Sequence, residues 1–217
     1  MSCHDAHHDH HHDHDHLPPP DTNEAQTLYS KINLDQVVVL NECDPGSGAA
    51  IIRKYSERLA TEPYLESDVD PELLITIPFT GLVRLHSLLI RSFADARAPR
   101  EIRIFKNRDD LDFTNVADLK EVQKLEHPAE TGVGTSQDDG IVEYALNRAQ
   151  LSNVTSITLH IPSNYGAETS AMTYIGLRGD FKELNRAPVV TMYEAAANPA
   201  DHRNILKDAE QLHRTAD

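Results

Sequence analysis

The chain has no tryptophan, only two cysteines, and 20 Lys and Arg against 35 Asp and Glu. Each shortage removes a class of function. Sugar-binding faces are gripped by stacked aromatic rings, and the twelve Tyr and Phe here must serve a core as well. Cys3 and Cys43 form no CxxC pair, so thioredoxin-type redox chemistry has no residues to run on. The formal charge of −15 includes four aspartates in the first sixteen residues, leaving −11 for the remainder. Such a surface repels nucleic acid and anionic membranes through its long-range field, and favours a basic or neutral protein partner. The N-terminus offers no apolar signal-like run and no window approaches a membrane span, which points to a cytoplasmic or nuclear location.

What is present begins with a tail. Residues 1–16 carry eight of the thirteen histidines, interleaved with Asp5, Asp9, Asp13 and Asp15, a composition that builds no core and is expected to be disordered. Neutral imidazoles at this density bind zinc, nickel or copper, so His4, His7, His8, His10, His11, His12, His14 and His16 are candidate ligands. Structural zinc sites need fixed spacing on a shaped scaffold, and binding here is read as adventitious, with no cofactor required. Pro18-Pro19-Pro20 then forms a stiff spacer. Beyond it, a chain of 217 residues can bury about 70% of its unfolded surface in one core without staples.

The body is read as strands. Leu73, Ile75 and Ile77 alternate with Glu72, Leu74 and Thr76 at the period of two that a half-buried strand needs. Pro78 is expected to end that pairing, with a turn at Phe79-Thr80-Gly81 before a second strand over Val83–Ile90. In the second strand Val83 and Leu85 share one parity and Leu88 and Ile90 the other, so a bulge near His86-Ser87 or coverage of both faces is required. Val37–Leu40 reads as a buried strand, and Glu101–Phe105, Ile141–Leu146, Thr155–Ile161, Thr173–Arg178 and Val189–Tyr193 as further strands. Leu111 with Phe113 is expected to pin the polar turn after Asn107. Many short strands joined by Gly, Pro, Asn and Asp turns, without a long amphipathic helix, predict an all-β antiparallel β-sandwich with jelly-roll closure. After Asp201, Ile205, Ala209 and Leu212 form a weak helical stripe that suits either a frayed tail or a segment ordering on a partner groove.

No local motif pairs a nucleophile with a base, and His86, surrounded by apolar residues, is read as a packed, hydrogen-bonded side chain; the chain is expected not to be an enzyme. The acidic turn Glu66-Ser67-Asp68-Val69-Asp70-Pro71-Glu72 lacks the glycine and the final glutamate of an EF-hand, and Ser67 or Asp68 is expected to hold the turn through local amides. Glu66, Asp68, Asp70, Glu72, Asp109, Asp110, Ile205 and Leu212 are the candidate partner contacts.

The run Glu66-Ser67-Asp68 to Pro78-Phe79-Thr80-Gly81, with Phe105-Lys106-Asn107, Tyr174-Ile175-Gly176-Leu177-Arg178-Gly179 and Tyr193-Glu194 to Asn198-Pro199-Ala200-Asp201-His202, resembles the PITH domain, the proteasome-interacting module of a thioredoxin-like protein. The order and spacing are similar to stand-alone members that lack the thioredoxin half. The resemblance implies a jelly-roll sandwich akin to galactose-binding-like domains, over residues 21–202 between the tails 1–20 and 203–217. The chain is expected to be a monomeric, non-catalytic adaptor, and the resemblance implies the proteasome's regulatory particle as its partner. A carbohydrate-binding module and a metal-buffering tail are the alternatives.

Overall fold

The computed structural model describes residues 26–134 and 139–183. The His-rich tail, the strand expected over Val189–Tyr193, and Ile205 and Leu212 lie outside those residues. Among the described residues eight strands run β1 (Val38–Leu40), β2 (Leu65–Glu66), β3 (Leu73–Ser92), β4 (Glu101–Lys106), β5 (Gln123–Glu126), β6 (Val142–Ala145), β7 (Val154–Ile161) and β8 (Ala171–Lys182). Helix among the described residues is confined to short turns, of which Ser47–Ala50 is the α-helical one. The architecture is the antiparallel jelly-roll sandwich that the pattern predicts.

β3 organises both layers. Its first half pairs with β1 on one edge and β7 on the other, from Leu73 opposite Ile161 to Pro78 opposite Ser156. Its second half pairs with β8, from Leu82 opposite Lys182 to Ser92 opposite Met172, and with β6. β4 and β5 extend the first layer beyond β7, and β2 borders β8 in the second. Leu73, Ile75 and Ile77 from one half meet Leu85, Leu88 and Ile90 from the other in a single buried cluster, joined by Ile102, Ile104, Ile157, Leu159, Ile161, Ile175 and Leu177.

The expected break at Pro78 is not a break. β3 continues through Phe79-Thr80-Gly81 and changes partner there, the ladder to β7 shifting register between Pro78 and Val83 as the ladder to β8 begins. A missing donor at Pro78 does little harm where one ladder hands over to the other, and the Pro78 carbonyl still accepts from the Asn33 amide at 2.9 Å. Gly81 is needed for a different reason: a Cβ there would come within 2.7 Å of the Phe181 ring. The bulge read from the parity switch is present at His86, where the β8 register jumps between Leu85 and Ser87.

Two other expectations need correction. β1 is a short edge strand with Val38 52% exposed, because its second edge has no partner among the described residues. Phe113 is exposed; it is Leu111, Val116 and Leu119 that fold over the outer face of the first layer, against Leu74 and Phe105. The outer face of the second layer is covered too, so Tyr174, Gly176 and Arg178 are buried although they point away from the core. There Arg178 grips both oxygens of Glu143 at 2.8 and 2.7 Å, and Arg53 and Arg91 donate to backbone carbonyls.

Candidate binding surface

Because β3 descends one layer and returns up the other, both its ends arrive at the same end of the sandwich. The loops 41–46, 66–72, 93–100, 127–133 and 162–170 collect there and bond to one another. Ser67 N donates to Ser170 O, Asp68 N to Asn41 O, Arg100 N to Ser163 O, His127 N to Arg100 O and Ala171 N to Arg97 O, all at 2.9–3.1 Å. A loop cluster tied this closely holds surface side chains in fixed positions.

The acidic turn lies on this apex, clamped by a residue far from it in sequence. Asn41, at φ 69°, donates through Nδ2 to the Asp70 carboxylate at 2.9 Å and the Glu72 carbonyl at 2.7 Å, and its Oδ1 accepts from Val69 N at 3.1 Å. Asp70 also accepts from Glu72 N at 2.9 Å, an Asx turn. Glu66 accepts from the Thr169 hydroxyl at 2.7 Å, and Glu72 accepts from His160 Nε2 at 2.6 Å. Ser67 does hold the turn, through the distant Ser170 amide instead of a local one, whereas the Asp68 side chain takes no hydrogen bond among the described residues.

The remainder of this surface is uncompensated charge. Residues 42–44 and 62–72 contribute seven carboxylates and no Lys or Arg. Glu42 is spent on the amides of Gly46 and Gly48 at 2.7 and 2.9 Å, at the start of the Ser47–Ala50 turn. Asp44, Glu62 and Asp68 have no ion pair among the described residues, and the nearby Arg97 is held by Asp95 at 2.8 Å. Asp44 and Glu62 flank a cleft of about 310 Å3 with Pro45, Pro63 and Tyr64 in its walls. Val69, at the tip of the turn, is 83% exposed. Local desolvation and the carboxylates of Asp44, Asp68 and Glu66 push the exposed Cys43 thiol up from its ordinary pKa.

Asp109 and Asp110 do not join this surface. They follow the end of β4 beside Ser156, the opposite end of β7 from the acidic turn, and Arg108 grips Asp110 at 2.6 Å, holding its carboxyl below the usual range. Among the described residues no group of three or more His, Cys, Asp or Glu could hold a metal ion, and no helix is long and apolar enough to cross a membrane.

Beneath the apex lies a hydroxyl–imidazole contact with no counterpart in local sequence. Ser92 Oγ is 2.9 Å from His127 Nε2, and Tyr144 Oη is 2.6 Å from Nδ1. Every group is satisfied when Tyr144 donates to Nδ1, Nε2–H donates to Ser92, and Ser92 donates to a carbonyl of Phe93 or Thr131. Burial pushes His127 down to about 4 and Tyr144 up, so both are neutral near pH 7. Ser92 and His127 are each 0% exposed, so no substrate reaches them; Tyr165, donating to the His127 carbonyl at 2.5 Å, seals the loop above.

The model of the PITH domain matches residues 18–197. The chain belongs to the PITH domain family. It is 38% identical over 187 residues to PITH domain-containing protein 1 of Homo sapiens and of Mus musculus, covering 86% of this chain and 85% of each relative. A Schizosaccharomyces pombe PITH domain-containing protein is 32% identical over 191 residues, 88% of this chain and 90% of that one. In fold, the chain is similar to the CBM32-1 and CBM32-2 domains of Clostridium perfringens ZmpB, with TM-score 0.53 at 14% identity. That match takes in 74% of this chain and spans 38% of the longer one. The blocks that carry the PITH resemblance are seen to hold the fold. Lys106 donates to the Gln150 and Ser152 carbonyls at 3.2 and 2.5 Å. Asn107, at φ 51°, accepts from Thr155 N and donates to the Asn153 carbonyl.

Proposed function

We propose that this PITH protein is a non-catalytic adaptor that docks a basic segment of another protein on its acidic apex. The observation that carries the reading is the Asn41-clamped turn. It presents Asp68 and the apolar tip of Val69 on a rigid base, beside the carboxylates of Asp44 and Glu62, which have no ion pair among the described residues. Preorganised charge of one sign steers a complementary partner and costs little ordering on binding. Tyr64 and the two prolines offer apolar walls to the stem of a Lys or Arg whose head reaches Asp44 and Glu62. The family resemblance implies the regulatory particle of the proteasome as the partner, in the cytoplasm or nucleus. Support for a non-catalytic role comes from the Ser92–His127 pair, the one Ser or Thr hydroxyl–imidazole pair among the described residues, being sealed and ending on a phenol in place of a carboxylate.

Affinity capture tests this with the full chain and a D44K/E62K/D68K variant. Recovery of regulatory-particle subunits by the wild type and not by the variant is the expected outcome. Equal recovery by both would remove the apex from the account, and recovery by neither would remove the proteasome.

A further inference from the structure

The geometry points to a second site, at the end of the sandwich remote from the acidic apex: we infer that a pocket at the β3 corner binds a small organic carboxylate with an apolar body. The pocket encloses about 320 Å3, within the range of small-ligand sites, and lies between the corner of β3, the start of β7 and the end of β8. Leu82 is its apolar wall on the face that carries Arg84 and Lys182, while Val83 and Phe181, of the opposite parity, border it from the core side. The Phe181 ring is fixed in place, resting on Gly81 where a Cβ would be 2.7 Å away, with the Lys31 ammonium 4.5 Å from its centroid.

The charged wall follows from strand register. Leu82 stands opposite Lys182 and Arg84 opposite Asp180, so Arg84 and Lys182 are diagonal neighbours on one face, about 7–8 Å apart, within reach of a shared carboxylate. Arg84 should find its partner across the strand in Asp180. It does not, because the bulge at His86 turns that imidazole to Asp180, and His86 Nε2 lies 2.9 Å from the carboxylate. Nε2 therefore carries the proton, and His86, 8% exposed, leaves Nδ1 with no partner among the described residues. The outcome is that neither Arg84 nor Lys182 makes a side-chain hydrogen bond or ion pair among the described residues, although acids far outnumber bases in this chain. A carboxylate is the planar anion that a guanidinium and an ammonium receive together. Ser152 and Asn153 stand on the β7 side, where they can bond a polar substituent of the ligand.

The test is an NMR titration of the full chain with sodium benzoate, with benzylamine as the oppositely charged control. Saturable shifts in the millimolar range, confined to Leu82, Val83, Asn153 and Phe181, are expected from benzoate and none from benzylamine. R84Q and K182Q, each keeping a native spectrum, should weaken binding about tenfold, the scale of one charge-assisted hydrogen bond. H86N has a readout that packing alone would not move: it releases Asp180 to Arg84 and so lowers benzoate affinity without touching the ligand. Unsaturable or scattered shifts, equal binding of benzylamine, or wild-type affinity in R84Q would each overturn the inference. Failure of proteasome capture would leave it intact, since the two sites share no residue.

Discussion

The two ends of this sandwich are built by the same strand and come out opposite in character. At the apex, where both ends of β3 arrive, polar groups are spent on one another: Asn41 on the acidic turn, Ser67 on Ser170, Tyr144 and Ser92 on His127. What remains outside is mostly carboxylate, with Arg100 the cationic exception. At the corner, apolar contact does the holding, with Phe181 on Gly81 and Val83 in the core, and what remains outside is cationic. The difference teaches that rigidity at one end rests on a hydrogen-bond network that includes titrating imidazoles, His127 and His160, and at the other on close packing.

Breaking the apex from below should have the largest effect. His127→Ala takes the acceptor from the Tyr144 hydroxyl and the donor from Ser92 Oγ and opens a cavity, and should cost about 3–5 kcal/mol in urea unfolding. The same contrast appears in pH dependence. The His127 pKa is depressed in the folded state, from 6.5 to about 4, so the unfolded chain binds the extra proton first. Its contribution is complete above pH 6.5 and is lost as pH falls towards 4, by about 3 kcal/mol from a shift of this size. His160, lowered by burial against the opposing effect of its hydrogen bond to the Glu72 carboxylate, adds loss in the same direction. Unfolding curves across that range check both, and His127→Ala should flatten the slope.

At the corner, Gly81→Val drives a side chain into Phe181 and should cost about 1–3 kcal/mol, with little change in the pH slope. A steeper slope in that variant would deny that the two ends are held by different forces. The smallest effect is expected from Asn41→Ala, about 1–2 kcal/mol, since backbone bonds such as Asp68 N to Asn41 O survive it. Its sharper readout is faster amide exchange at Val69, whose N–H loses its acceptor.

Legibility in the sequence followed the range of the interaction. Alternation over Leu73–Ile77 and the parity switch at His86 are local, and both were readable, as was the acidic turn. Pro78 misled because a missing donor ends a ladder only when the strand keeps the same partner, and the hand-over from β7 to β8 is a fact of the whole sheet. Asn41 is 29 residues from Asp70 and Ser92 is 35 from His127, so the clamp and the buried network were invisible. An Asn directly after the apolar run Val37–Leu40 was the available hint of a left-handed turn at residue 41. The corner pocket needed both strand register and the His86 bulge before Arg84 could be seen without its partner.

The most direct test of the apex as a docking surface is equilibrium binding of the full chain to purified proteasome regulatory particle over a range of salt concentrations. Affinity that falls steeply as salt rises, and a D44K/E62K/D68K variant that binds weakly with a flat salt response, is the predicted result. Binding that ignores salt, or is unchanged by the three reversals, would contradict it.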